Sequence, residues 1–127
     1  MFKTVLFPID QSREAIETAE KAIQLAKSHQ SHMILLSVLQ KERPEMNDAQ
    51  SISSLLNRAR ELIKQAGVTC DVLEKQGKPA FVICDVADDL NVDLIVMGTR
   101  GVNLEGESES TAARVIQLAP CPVLVVP

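Results

Sequence analysis

A short run of four apolar residues, Leu94 to Met97, constrains the fold of this chain most. It shows no alternation of polar and apolar residues, which is typical of a parallel strand covered on both faces. Two glycines, Gly98 and Gly101, follow the run. We expect them to turn the backbone so that successive N–H groups can face an anion, although any tight turn would also favour glycine. The sequence therefore predicts an α/β domain with a ligand site after this strand.

Negative charge follows these glycines. Residues 104–110 include Glu105, Glu107 and Glu109, where a site for an anion would favour positive charge. Arg100 is a candidate partner for a bound anion, and it could equally form a weak surface ion pair with these glutamates. We interpret the segment as a solvated loop that leads into a helix, whose positive end tolerates acidic residues.

Apolar runs of strand length alternate with amphipathic stretches along the chain, which is typical of a parallel sheet with crossover helices. The predicted strands are Thr4 to Ile9, His32 to Leu39, Val68 to Leu73, Leu94 to Met97 and Pro122 to Val126. The predicted helices are Ser12 to Ser28, Asp48 to Ala66, Pro79 to Asn91 and Ser110 to Leu118. We expect one domain, residues 1–127, with a five-stranded doubly wound parallel sheet.

The helix boundaries have local signals. Ser12 precedes an alanine-rich apolar stripe and is the predicted N-cap of the first helix, whereas Gly67 is expected to end the second. Ligands of doubly wound sheets bind beyond the carboxyl ends of the strands. The strand ends at Asp10, Val38 and Met97 should therefore line one crevice.

Composition excludes several classes of partner. Aromatic residues make up 2% of the chain and the formal net charge is -4, which argue against single-stranded and duplex nucleic acids respectively. Cys70, Cys84 and Cys121 are odd in number and widely spaced, as expected for free thiols in a reducing compartment. No apolar run approaches the length of a signal peptide or a membrane span, so we expect a cytoplasmic protein without membrane contact.

No set of catalytic residues is recognisable. His29 and His32 have no cysteine or carboxylate cluster nearby, so we predict no metal site. Asp85, Asp88 and Asp89 share one face of the third predicted helix and are expected to face solvent. The sequence also lacks a nucleophile elbow. We therefore assign no catalytic residue.

Four segments resemble the universal stress protein family. VLFPIDQS is similar to its first strand and turn, LLSV to its second strand, GKPAFVICDVADDLNVDLIVMGTRG to its central signature, and APCPVLVVP to its last strand. Together they cover nearly the whole chain. The resemblance implies a flavodoxin-like or adenine nucleotide alpha hydrolase-like sheet with strand order 3-2-1-4-5.

The resemblance also implies a ligand, because many family members bind ATP or AMP while others bind no nucleotide. In the binders, the adenosine contacts the end of the first strand, here Pro8, Ile9 and Asp10, and a backbone group at the end of the second, here Val38. The family's phosphate motif begins after the fourth strand, where this chain has Met97, Gly98, Arg100 and Gly101, and its closing hydroxyl would come from Ser110.

The phosphate motif departs from the family pattern of glycine, two residues, glycine, nine residues, glycine, then serine or threonine. Counting from Gly101 places Thr111 and Ala112 at the last two positions, whereas counting back from the last strand places Glu109 and Ser110 there. Either way the glycine near the end of the pattern is missing. We therefore expect ATP, with Mg²⁺ only if ATP binds, to be disfavoured more than AMP or a cyclic nucleotide.

Two functions follow from these observations. The first is a homodimeric regulatory or binding module of the stress response with weak or altered adenine-nucleotide binding and a protein partner. The alternative is a nucleotide-switched sensor or slow ATP hydrolase. Pairing of Pro122 to Val126 with a second copy would cover an apolar strand, unless that strand lies inside the sheet.

Overall fold

The computed structural model describes residues 1–40, 49–99 and 110–127. Strands and helices alternate along these residues. The strands are β1 (Thr4–Pro8), β2 (His32–Leu39), β3 (Cys70–Gln76), β4 (Leu94–Gly98) and β5 (Val123–Val126). The helices are α1 (Ala15–His29), α2 (Ala49–Gln65), α3 (Pro79–Asp89) and α4 (Thr111–Leu118).

The strands form one parallel sheet in the order β3-β2-β1-β4-β5, as predicted. β1 lies at its centre, with Leu6 opposite Ile34 of β2 on one side and opposite Ile95 of β4 on the other. The chain leaves β1 towards β2 and later crosses to β4 on the other side. The point where the strand order reverses is therefore the gap between the ends of β1 and β4.

Each face of the sheet is covered by two helices. Val5 and Phe7 of β1 pack with α1 and α2, whereas Leu6 between them packs with α3 and α4. The predicted stripe on α1 is buried throughout, and it consists of Ala15, Ala19, Ala22, Ile23 and Ala26. Both faces of the central strands are thus shielded from solvent, which explains why these strands carry apolar residues without alternation.

β3 differs most from its predicted bounds. It begins at Cys70, two residues after Val68, because the Val68 N–H donates to the Ile63 carbonyl at the end of α2. It continues to Gln76, which lies opposite Leu39 of β2. Its last residues are polar and exposed, as an edge strand allows, so their polarity concealed the strand in the sequence.

The start of α1 corrects another prediction. The helix begins at Ala15, and its N-cap residue is Glu14 rather than Ser12. The Ser12 N–H donates to Asp10 Oδ1 at 2.8 Å, and its carbonyl accepts from the Ala15 N–H at 3.2 Å. Ser12 therefore belongs to a turn closed by the Asp10 carboxylate before the helix starts.

Helix ends follow a common pattern. Gly67 has a φ of +78° and donates to the Lys64 carbonyl, which confirms its predicted role at the end of α2. Gln30 after α1 has a φ of +54° and donates to the Lys27 carbonyl in the same way. Both are Schellman motifs, which favour glycine at this position.

The helices in the described ranges were also compared with the length and hydropathy of membrane spans. None of them is long and apolar enough to cross a membrane.

The two Schellman positions give opposite predictions. Gly67→Ala should destabilise the protein by about 1 kcal/mol, because a residue with a β-carbon is disfavoured at positive φ. Steric crowding does not contribute, since no atom beyond the chain neighbours lies within 4 Å of the position that the β-carbon would occupy. Gln30→Gly should stabilise it by about 0.5 kcal/mol, because glycine relieves that strain and loses part of the gain to chain entropy. Urea unfolding at neutral pH measures both changes. If both variants changed the free energy of unfolding in the same direction, this explanation would be wrong.

Candidate functional site

A crevice opens at the carboxyl ends of β1, β2 and β4. α2 and α3 form walls, and Thr111 at the start of α4 reaches its rim. The described residues that line it are Pro8, Ile9, Asp10, Gln11, Ser37, Val38, Gln40, Ile52, Leu55, Leu56, Pro79, Ile83, Met97 and Thr111. Pro8, Ile9, Asp10, Val38 and Met97 were predicted from the sequence as site residues, and the fold brings these five together.

The crevice has an internal volume of about 70 Å³, so its inner space is narrow. Most of the described lining is aliphatic, and Asp10 carries the only side chain in it that is charged at neutral pH. The crevice therefore suits a flat, largely apolar group with few negative charges.

Asp10 follows β1 at the base of the crevice. The Ile9 N–H donates to the Leu36 carbonyl at 2.9 Å, which extends the pairing of β1 with β2 up to this turn. Burial raises the pKa of the Asp10 carboxyl, the hydrogen bonds from Ser12 oppose that shift, and the charge of Glu14 adds to it. The carboxylate is thus a hydrogen-bond acceptor that is partly shielded from solvent.

The end of β4 corrects the expected role of Gly98. Gly98 is the last residue of the strand, lies opposite Val126 and has no positive φ, so it does not make the turn. A β-carbon there would lie 3.3 Å from Thr18 Oγ1 on α1. Its missing side chain therefore allows α1 to pack closely on the sheet. Arg100 and Gly101 lie outside the described residues.

Ser110 lies at the start of α4. Its hydroxyl accepts a hydrogen bond from the Ala113 N–H at 3.1 Å, so it is the N-cap of the helix. Among the described residues that line the crevice, Thr111 is present and Ser110 is not. Glu105, Glu107 and Glu109 lie outside the described residues.

Sequence reasoning missed the walls that α2 contributes. Ile52 and Leu56 are buried residues of that helix and line the crevice. An amphipathic stripe does not distinguish a residue that packs in the core from one that faces a cavity. Ser37 was missed as well, although it is the one polar residue in the apolar run from Met33 to Leu39, and that signal could have identified it.

The cysteines lie away from reactive surroundings. Burial raises the pKa of the thiols of Cys70, Cys84 and Cys121, which favours their neutral form. All three are free. A raised pKa makes a cysteine a poor nucleophile at neutral pH.

The histidines make structural contacts. His32 places Nδ1 2.7 Å from Thr69 Oγ1 and Nε2 2.9 Å from Asp71 Oδ2, which links β2 to the start of β3. The His29 ring packs edge-on against Phe2, with centroids 5.3 Å apart. The carboxylates of α3, Asp85, Asp88 and Asp89, are exposed, as predicted.

The structure is a doubly wound α/β domain with a crevice at its topological switch point. The sequence model of the universal stress protein family matches residues 1–127. The chain therefore belongs to that family.

Relatives support the same conclusion over the whole length. The universal stress protein Sll1654 of Synechocystis sp. is 49% identical, and the alignment covers 100% of this chain and 87% of that protein. A universal stress protein of Thermus aquaticus is 33% identical, with 99% of each chain covered.

Solved structures share the fold. A universal stress protein in complex with cAMP matches with a TM-score of 0.76 and 25% identity, covering 98% of this chain and 96% of its own. The universal stress protein of Archaeoglobus fulgidus in complex with dAMP gives a TM-score of 0.75 at 21% identity, covering 100% and 98%.

Replacing Asp10 tests its buried charge. A raised carboxyl pKa means that the folded state resists ionisation, so the destabilising effect is absent below the unfolded value near 3.8 and complete above the folded pKa. Asp10→Asn should therefore raise stability at pH 7 and lose this advantage as the pH falls towards 3.8. Urea unfolding at several pH values measures the difference.

The exposed Asp85→Asn on α3 is the matched control, with an expected change within about 0.5 kcal/mol at each pH. A loss of stability in Asp10→Asn at pH 7 would show that the hydrogen bonds from Ser12 outweigh the desolvation of the carboxylate.

Proposed function

We propose that this protein is a homodimeric regulatory module of the stress response that binds adenine nucleotides of low charge, AMP or a cyclic nucleotide, in the crevice. One observation carries the proposal. The described lining is an aliphatic slot whose only charged side chain is the carboxylate of Asp10. Aliphatic walls suit the faces of an adenine ring, whereas the described lining offers a triphosphate no positive charge.

Electrostatics support the preference for fewer phosphates. Two negative charges about 6 Å apart repel by about 0.7 kcal/mol in water and by about 2.8 kcal/mol at an effective dielectric of 20. ATP carries more charge than AMP or a cyclic nucleotide, and Glu105, Glu107 and Glu109 add negative charge to the sequence that follows β4. ATP should therefore bind more weakly unless Mg²⁺ neutralises part of its charge.

The solved relatives point in the same direction. The ligands named for two of them are cAMP and dAMP, each with one phosphate. The crevice of this chain lies at the switch point of the sheet, where doubly wound domains bind ligands. This analogy supports the class of ligand and leaves the affinity to experiment.

The two edges of the sheet favour a homodimer through β5. The β3 edge exposes Asp71, Glu74 and Lys75, and such charges discourage the addition of another strand. The β5 edge carries no charge from Val123 to Val126, and Leu124 is 42% exposed. β5 is an edge strand, so the alternative of an inner position no longer applies. Pairing with a second copy would cover its apolar surface.

We place the module in the cytoplasm, where its three free cysteines would remain reduced. A protein partner would distinguish the ligand-bound dimer from the ligand-free dimer. The burial that raises the pKa of each thiol, together with a crevice that offers one carboxylate, favours regulation over catalysis.

Calorimetric titration tests ligand binding directly. We expect saturable binding of AMP and cyclic AMP, and at least about fivefold weaker binding of ATP without Mg²⁺, because about 1 kcal/mol of added repulsion corresponds to that factor. Asp10→Ala should weaken binding of each ligand. Asp85→Ala, on the exposed face of α3, is the control and should leave binding unchanged.

Other outcomes would contradict the proposal. Tighter binding of ATP than of AMP, with phosphate release that Asp10→Ala abolishes, would favour the slow hydrolase. If the titration released no heat of binding at millimolar ligand, the protein would instead be a docking module that binds no nucleotide.

Sedimentation equilibrium tests the dimer. Leu124→Lys should convert the dimer into a monomer, because it places a charge at the centre of the apolar β5 edge. Leu90→Lys, at the end of α3, is a matched control, since Leu90 is 46% exposed and lies outside β5. A monomeric wild-type protein, or equal behaviour of both variants, would exclude dimerisation through this edge.

A further inference from the structure

Ser37 of β2 is a polar residue in an apolar part of the crevice. The residue is buried, with 5% of its surface exposed, and it lines the cavity. Among the described residues, no hydrogen bond to its hydroxyl is found. The residues before it in β2, Leu35 and Leu36, are fully buried and apolar. Ser37 is therefore a hydroxyl directed at an apolar space.

Ser31, at the start of the same strand, provides a comparison. It is 4% exposed, almost as buried as Ser37, but its hydroxyl donates to the Phe2 carbonyl. That serine contributes a hydrogen bond to the fold. A buried hydroxyl without such a bond is unfavourable unless a ligand or water supplies the partner. The fold itself therefore gives Ser37 no structural role of the kind that Ser31 has.

The position of Ser37 indicates which part of a ligand it would meet. The Ile9 N–H donates to the carbonyl of Leu36, so Ser37 lies one strand spacing from the turn that carries Asp10. Ile52 and Leu56 of α2 cover the same face of the sheet. A narrow slot with aliphatic walls and a buried hydroxyl suits a flat ring with a polar edge.

We propose that the Ser37 hydroxyl hydrogen-bonds the ring edge of the bound nucleobase and selects for it. This inference rests on the proposed function, because it assigns a contact within the same nucleotide site. A hydroxyl both donates and accepts, so it can pair with a ring nitrogen or with an exocyclic amino group. Ribose and phosphate have several polar atoms each, and they fit the aliphatic surroundings of Ser37 less well.

Titration of AMP into wild-type protein, Ser37→Ala and Ser31→Ala tests the contact. Ser37→Ala should bind AMP about 3- to 10-fold more weakly, as expected for one lost neutral hydrogen bond. Its melting temperature without ligand should be unchanged or higher, because the fold loses no hydrogen bond. Ser31→Ala should show the opposite pattern, with a lower melting temperature and unchanged affinity.

Deaza analogues identify the ring atom. The 1-, 3- and 7-deaza forms of AMP and the riboside monophosphate of unsubstituted purine each remove one polar position. One of these should bind the wild type more weakly and show no further loss with Ser37→Ala, which is the non-additivity of a direct contact.

The outcomes separate this inference from the proposed function. Equal AMP affinity in wild type and Ser37→Ala would overturn the Ser37 contact and leave nucleotide binding intact. Strict additivity with every analogue would likewise exclude a base contact. Absence of AMP binding by the wild type would overturn both.

Discussion

The hydrogen bonds that hold β1 between β2 and β4 determine where the rest of the molecule lies. Leu6 at the centre of β1 has a strand partner on each side, and its neighbours in sequence face opposite layers of helices. The chain reaches β2 on one side of β1 and β4 on the other, and α1 and α4, the helices after β1 and β4, pack on opposite faces of the sheet. The crevice lies at the carboxyl ends of these strands, and Asp10 lines it because it is the second residue after β1.

Close packing of α1 on the sheet is the second constraint. The core has few aromatic side chains, and the buried face of α1 is mainly alanine, so helix and sheet backbones approach closely. Gly98 belongs to this packing, because a β-carbon there would press against Thr18. A glycine that resembles part of a phosphate motif thus has a structural explanation independent of any ligand.

Apolar runs in the sequence predicted most of the strands, because burial on both faces leaves such runs unbroken. The topology of a doubly wound sheet predicted that the strand ends line one crevice, whereas the strand order was implied by the family resemblance. The sequence could not predict local competition for hydrogen bonds. Ser12 precedes the apolar stripe as an N-cap residue would. Its N–H donates to the Asp10 carboxylate instead, and the helix begins three residues later, at Ala15. Nor does a sequence show that an apolar helix residue such as Ile52 faces a cavity.

The polar groups of the crevice bear on stability as well as binding. Asp10 is partly desolvated and Ser37 is buried, so each costs folding free energy that a ligand can return by pairing with it. A ligand at 100 times its dissociation constant stabilises the folded state by about 2.7 kcal/mol. Since Ile52, Leu55 and Leu56 of α2 form a wall of the crevice, part of that stabilisation should fix the position of α2. Under the proposed function, a bound ligand would change the position of α2, and a partner would recognise the exposed face of that helix without any chemical step.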